Sequence, residues 1–313
     1  MKVKILAAIL CLIWLSFNVS AQLPVDGTHY FVGINGIKGG ALPPTGVYFR
    51  DDNLFYYGTS GLLPDYKTSV YAQAPQVLWM TPWSVLGVNY GMAAMVPVVF
   101  RDVSYKTTEE LPSGKTAPSW QGGDRFGIGD IELQPLLLAY HLKHFDLMGG
   151  YALWLPTGDY HDSGGVNLGD GMWTHMITLG AVWYPDDEKN WAVSVLNHYE
   201  FNSQLPGTRT LTTSSPSGSG SVSIQEDNSC STYSLEAAIS KTIWKKTDIG
   251  VVGYYQEQFE DQGEGFKAAA IGPEIRTEIP AWGLSASFRD EYEIYIDNHP
   301  RGNLLDLAVT KSF

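Results

Sequence analysis

The chain has 313 residues, with 20 basic against 33 acidic side chains and a formal net charge of −13. A surface of that sign repels polyanions, which argues against a nucleic-acid partner. Only two cysteines are present, Cys11 and Cys230, so no disulfide framework can be built.

The first residues, MKVKILAAILCLIWLSFNVSA, place two lysines before an apolar run from Ile5 to Phe17 and close on Ser20 and Ala21. This is the layout of a secretory signal peptide over 1–21, with cleavage after Ala21, and the run is too short to span a bilayer as a helix. Cys11 lies inside the run and counts as bulk hydrophobe. Residues 22–44, QLPVDGTHYFVGINGIKGGALPP, carry too many glycines and prolines for a lipid-facing strand. Two readings stay open for them, a periplasmic leader or a plug inside a barrel.

From residue 45 to 313 the chain breaks into segments of about ten to sixteen residues that alternate apolar and polar positions and are separated by turn residues. The segments begin near residues 45, 70, 85, 126, 145, 171, 190, 231, 247, 265, 282 and 304. Twelve is an even number, as bacterial single-chain outer-membrane barrels require. The expected connections are 59–69, Pro82-Trp83-Ser84, 104–125, Lys143-His144, 159–170, Pro185 to Lys189, 204–230, Lys245-Lys246, Asp261 to Glu264, Pro280-Ala281 and 296–303. Long and short alternate throughout. An up-and-down barrel sorts its connections to two rims in this way, long loops outside and short turns in the periplasm, whereas a Greek-key sandwich has no reason to. The fold class is therefore an all-β, antiparallel, up-and-down transmembrane barrel of about 12 strands, located in the bacterial outer membrane.

Thickness gives a second criterion. In MWTHMITLGAVWY, Trp173, His175, Ile177, Leu179, Ala181 and Trp183 share one face. Trp173 and Trp183 stand ten residues apart, about 25 Å along the membrane normal at ~3.3 Å per residue and a tilt of ~40°. Trp191 and Phe201 repeat the spacing on the next strand, and the four form candidate aromatic girdles against the lipid.

The face opposite the lipid stripe carries polar groups. Asp130 and Glu132 lie opposite Ile131 and Leu133. In FKAAAIGPEIRTEIP the stripe Ala269, Ile271, Pro273, Ile275, Ile279 turns Glu274, Arg276 and Glu278 inward. In LSASFRDEYEIYI the stripe Leu284, Ala286, Phe288, Tyr292, Ile294 turns Arg289, Glu291 and Glu293 inward. Arginine at the midplane of a lipid face costs about 2 to 4 kcal/mol, which fixes this register. Asp290 falls on the lipid side, so it is expected near a rim or at a bulge. The charged lumen positions are candidates for selectivity in a polar, constricted pore, or for an ion-pair network that fills a narrow barrel.

Other chemistry is thin. His161-Asp162-Ser163 sets a histidine near a serine but in a Gly-rich loop, which reads as solvated loop and not as a catalytic pair. His141, His144 and Asp146 straddle a hairpin and offer no closed metal-ligand set. GGDRFGIGD has the glycines of a phosphate loop without the helix that must follow. Thr208 to Ser223 is a low-complexity Ser/Thr/Gly run. No catalytic residue, metal or cofactor is expected.

The chain ends NLLDLAVTKSF, with Leu305, Leu307, Val309 and Phe313 on one face. A closing strand that ends on an aromatic residue is the mark by which barrel-assembly machinery reads an outer-membrane protein, so Phe313 is the expected assembly signal. Lys311 departs from the apolar pattern, and its stem is long enough to reach the interface.

GIGDIELQP (Gly127 to Pro135), LPTGDYHDSGGVNLGDGMWT (Leu155 to Thr174) and HYEFN (His198 to Asn202) resemble the outer-membrane family assigned to transport in the meta-pathway of phenol degradation. The resemblance runs from PPTGVY at Pro43 to the C-terminus. It implies a channel-type barrel for passive uptake of small hydrophobic or aromatic permeants. Alternatives of other classes are a membrane-embedded hydrolase using His161 and Ser163, and a non-conducting structural or adhesive barrel.

Overall fold

The structure is a computed structural model and describes residues 28–60, 65–110, 116–160, 166–203, 208–215, 218–225, 230–260 and 265–313. Its strands are β1 (Gly46–Ser60), β2 (Tyr66–Val85), β3 (Val88–Met95), β4 (Val98–Glu110), β5 (Thr116–Ile128), β6 (Ile131–His141), β7 (Phe145–Leu155), β8 (Thr174–Trp183), β9 (Trp191–Asn202), β10 (Thr208–Ser215), β11 (Gly218–Gln225), β12 (Cys230–Ile243), β13 (Thr247–Glu260), β14 (Lys267–Ile279), β15 (Leu284–Asp297) and β16 (Arg301–Ser312). Neighbours pair antiparallel around the wall, and β1 pairs both β2 and β16, so the sheet closes.

β3 with β4, and β5 with β6, each form one stave of the wall. The first breaks at Val96-Pro97, where proline cannot donate to the ladder. The second breaks alongside it at Gly129-Asp130. Val96 N–H donates to Pro75 O at 3.2 Å and Gly129 N–H to Pro97 O at 2.9 Å, which carries the wall across both breaks. β10 and β11 pair only with each other, outside the wall. The result is a closed antiparallel barrel of 12 staves.

Alternation decides which side chains face lipid. On β8, Thr174, Met176, Thr178 and Val182 are buried, whereas His175, Ile177, Leu179 and Trp183 are exposed. Trp173 (47% exposed), Trp183 (47%), Trp191 (44%) and Phe201 (43%) all stand on the outer face. Phe313 is exposed there too, and its N–H donates to Val47 O at 3.0 Å as β16 closes on β1. Lys311 bends its ammonium down to the carbonyl of Trp282 and lies 5.5 Å from the centre of the Phe313 ring, the expected route out of the apolar layer.

Several expected connections differ. Pro82-Trp83-Ser84 is not a turn but the irregular end of β2, and the chain reverses at Leu86-Gly87. Both have positive φ, 54° and 84°, the geometry of the tight hairpin turn whose twist suits paired strands. Periodicity could not signal this, because Leu86 is apolar yet 94% exposed. Much of 104–125 is not loop either: β4 and β5 stay paired from Val98↔Ile128 out to Glu110↔Thr116. The low-complexity run holds the hairpin β10–β11. The pair His161 and Ser163 lies outside the described residues. Asp290 is neither at a rim nor bulged. It faces outward on β15, accepts from Asn303 Nδ2 at 2.6 Å, and the register shift lies further along, where Ala269 opposes Tyr295 and Ala270 opposes Glu293.

Candidate functional site

Residues 28–44 run inside the barrel, from the rim of the longer connections to the rim of the short turns, without forming helix or strand. A segment of that kind must find partners for its main-chain N–H groups elsewhere. The wall supplies carboxylates. Glu200 on β9 accepts from His29 N (3.0 Å), Tyr30 N (3.1 Å) and Thr28 Oγ1 (2.8 Å). Glu236 on β12 accepts from Asn35 N (3.0 Å), Gly36 N (3.3 Å) and the Tyr30 hydroxyl. Glu274 on β14 accepts from Ile37 N (2.7 Å), and Ser194 Oγ on β9 from Gly40 N (2.9 Å).

Side-chain pairs fasten the two ends. His29 Nε2 lies 2.9 Å from Asp130 Oδ2, and Asp130 also accepts from Gly158 N and Asp170 N at 2.8 and 2.7 Å. The break after Gly129 therefore positions a carboxylate that ties wall, loop and lumen segment together. Lys38 Nζ lies 2.8 Å from Asp248 Oδ2 near the other rim. Arg289 on β15 donates to Gly33 O at 2.7 Å and lies 3.2 Å from Asp306 and 3.7 Å from Glu274.

The glycines of GINGIKGG follow from this fit. Gly33 and Gly36 have φ of +89° and +54°, a region that side chains disfavour. A Cβ on Gly36 would stand 2.0 Å from Glu274 Oε2 and 2.8 Å from Arg289 Nη1.

The expected lumen residues thus separate into groups. Glu274, Arg289, Glu291, Glu293, Asp130 and Glu132 are buried in the filled lumen. Glu274 and Arg289 are cross-strand partners. Arg276 and Glu278 sit apart, at the short-turn rim, opposite Ser287 and Ser285. His141 turns to Asp146 (3.0 Å) and His144 to the Tyr184 carbonyl (3.0 Å). Glu200, Glu236, Asp248 and Ser194 were not singled out from the sequence, although parity alone puts Ser194 and Glu200 opposite the Trp191 to Phe201 stripe.

Towards the long-loop rim the segment leaves a small cleft of about 70 Å3 that is partly open to solvent. Phe31 and Val32 of the segment pack against Leu54, Val70, Ala72, Ala268 and Leu304 of the wall, and these side chains line it. At one end Glu293 accepts from the hydroxyls of Tyr254 (3.0 Å) and Tyr56 (3.2 Å) and from Gly302 N (2.5 Å), with His299 beside it. The cleft's lining is mostly apolar with a few converging polar groups, the chemical make-up of a small-molecule site in a space smaller than one that encloses a drug-sized ligand.

Among solved structures, the chain is similar to the COG4313 outer membrane channel from Pseudomonas putida F1, with a TM-score of 0.64 at 15% identity, covering 87% of this chain and 97% of that one. It is also similar to the β-domain of the Bordetella autotransporter BrkA, with a TM-score of 0.50 at 11% identity over 86% and 99% of the two chains. These likenesses concern the fold. No curated protein matches the chain in sequence. The family model described as "Putative MetA-pathway of phenol degradation" matches residues 51–307, and the chain belongs to that family.

Proposed function

We propose that the protein is a channel for passive uptake of small, hydrophobic or aromatic compounds across the outer membrane, and that it carries no catalytic activity. The observation that carries this reading is the mostly apolar cleft lined by Phe31 and Val32 of the lumen segment and by side chains of the inner wall. A wholly structural barrel has no use for such a space, since close packing would stabilise it more. The kind of family to which the chain belongs, and its likeness to a solved outer-membrane channel, support the same reading.

In this proposal residues 28–44 are the restriction of the pore, and Trp173, Trp183, Trp191 and Phe201 hold the barrel at the lipid interfaces. Asp130, Glu132, Glu274, Arg289, Glu291 and Glu293 shape the path by fixing the segment and by charging its surroundings, while Arg276 and Glu278 act at the periplasmic mouth. Phe313 is the residue by which assembly machinery recognises the chain. The acidic surface keeps nucleic acid away.

The test is uptake of radiolabelled toluene and benzyl alcohol at low micromolar concentration by intact cells of a strain lacking the protein, with and without its restoration. Faster entry on restoration is expected, with single channels recorded from the purified protein. Equal uptake together with electrically silent bilayers would overturn the reading.

A further inference from the structure

The polar end of the cleft has an arrangement that bears on what it accepts. His299 lies in the short connection between β15 and β16, and its side chain is only 5% exposed. Nδ1 stands 2.6 Å from Pro300 O. A carbonyl can only accept, so Nδ1 carries the proton and donates, and Nε2 of the neutral ring is left as an acceptor. Among the described residues Nε2 has no hydrogen-bond partner. Phe266, buried, packs against the ring with centroids 5.0 Å apart and fixes its orientation. Burial holds the imidazole neutral, its pKa pushed down to about 4, even though Nδ1 lies 3.6 Å from Glu293 Oε1. Glu293 is already engaged by Tyr254, Tyr56 and Gly302. The lining contains no lysine or arginine.

We infer that this cleft binds neutral, single-ring or short-chain molecules bearing one hydroxyl group, with the apolar body against Val32, Leu54, Val70 and Leu304 and the hydroxyl donating to Nε2 of His299. The assignment rests on the channel reading and sharpens it. A carboxylate ligand is disfavoured, because it meets the oxygens of Glu293 and the lining holds no lysine or arginine. A hydrocarbon of the same shape binds less well, because it covers Nε2 and shuts out water without giving the nitrogen a donor. One such hydrogen bond contributes ~0.5–1.5 kcal/mol, which is a preference of about 2- to 12-fold.

The experiment uses the full protein in lipid nanodiscs and 19F NMR of 4-fluorobenzyl alcohol, 4-fluorotoluene and 4-fluorobenzoate at pH 7.5, with empty nanodiscs subtracting partition into lipid. Binding of the alcohol about five-fold tighter than the toluene, and none of the benzoate, is expected. His299→Leu should bring the two neutral ligands level, and Val32→Trp, which fills the cleft from the segment side, should abolish both. Heat-modifiable migration checks that each variant is folded. If His299→Leu keeps the preference for the alcohol, or Val32→Trp binds as the wild type does, the site is wrongly assigned. The uptake and conductance measurements judge the channel reading separately, so a protein that conducts yet shows neither ligand in the cleft would overturn this inference alone.

Discussion

Removing Glu200 tests whether carboxylates hold the lumen segment in place. Glu200 is fully buried and receives three donors from the segment, two of them main-chain N–H groups of His29 and Tyr30. Glu200→Ala leaves both N–H groups buried without an acceptor, at about 1 to 3 kcal/mol each, or roughly 2 to 6 kcal/mol in favour of the undocked segment. Water entering the vacated space moves the figure towards its lower end. At ~1.4 kcal/mol per tenfold, even 2 kcal/mol raises the undocked population about 30-fold. The assay is the rate at which a membrane-impermeant maleimide modifies Asn35→Cys, which is proportional to that population when undocking is brief. It is read in a Cys230→Ser background, since Cys230 is not disulfide-bonded and would also be open to the reagent. Glu278→Ala, at the exposed rim, is the control and should leave the rate unchanged. A change of less than three-fold in Glu200→Ala would refute the idea that these hydrogen bonds retain the segment.

Arg289→Ala should likewise raise single-channel conductance, because the guanidinium both donates to Gly33 O and offsets Glu274 and Asp306, whereas Arg276→Ala at the short-turn rim should change conductance by less than two-fold. Deleting Phe313 should lower the amount of heat-modifiable, membrane-inserted protein without affecting export, and normal insertion would refute its role in assembly. A tag between β10 and β11 should be labelled on intact cells and one at Asp187 only after permeabilisation; the reverse pattern would invert the orientation. His299 is neutral in the folded protein down to about pH 4, while the unfolded chain takes up its proton below about 6.5. Its contribution to stability is therefore complete above pH 6.5 and is lost as pH falls towards 4, by about 3 kcal/mol. The thermal midpoint should fall over that window, and less steeply in His299→Leu; parallel slopes would refute the assignment.

The wall was legible in the sequence because its physics has period two. Trp173, Trp183, Trp191 and Phe201 stand outward as their spacing required, and Glu274 and Arg289 stand inward opposite one another. The errors fall where period two does not apply. The turn at Leu86-Gly87 depends on φ, which an exposed leucine does not announce. The paired extension of β4 and β5 carries no alternating apolar stripe in its sequence, so period two does not announce it. Asp290 could not be placed, because its tolerance on the outer wall comes from Asn303 on the neighbouring strand, a contact thirteen residues away in the chain. The outer wall treats other polar groups the same way: Gln73 donates to Asp51 and Tyr71 to Asn53, each at 2.8 Å. The lumen segment was legible only as something other than a strand. Its location depends mainly on partners 101 to 256 residues away in the chain, which no local pattern encodes.

Those partners also account for the charge with which the sequence began. A segment without helix or strand presents donors along its whole length, and in a narrow lumen only side chains can answer them. Carboxylates suit the task, since each has two oxygens and no proton to place, and one glutamate can accept from two or three donors at once, as Glu200 and Glu236 do. Arginine serves the opposite need, the carbonyls of Gly33 and Ile34, through Arg289 and Arg50. Part of the acidic excess is thus an internal requirement of threading an irregular segment through a barrel, and not a property of the surface. A carboxylate that holds a main-chain N–H is also replaceable by water at modest cost when the segment moves. A lumen filled by interlocking apolar side chains would be more stable but would offer no comparable way to open. Acid-lined walls around an unpaired segment are what a barrel needs if its restriction is to be both ordered and releasable.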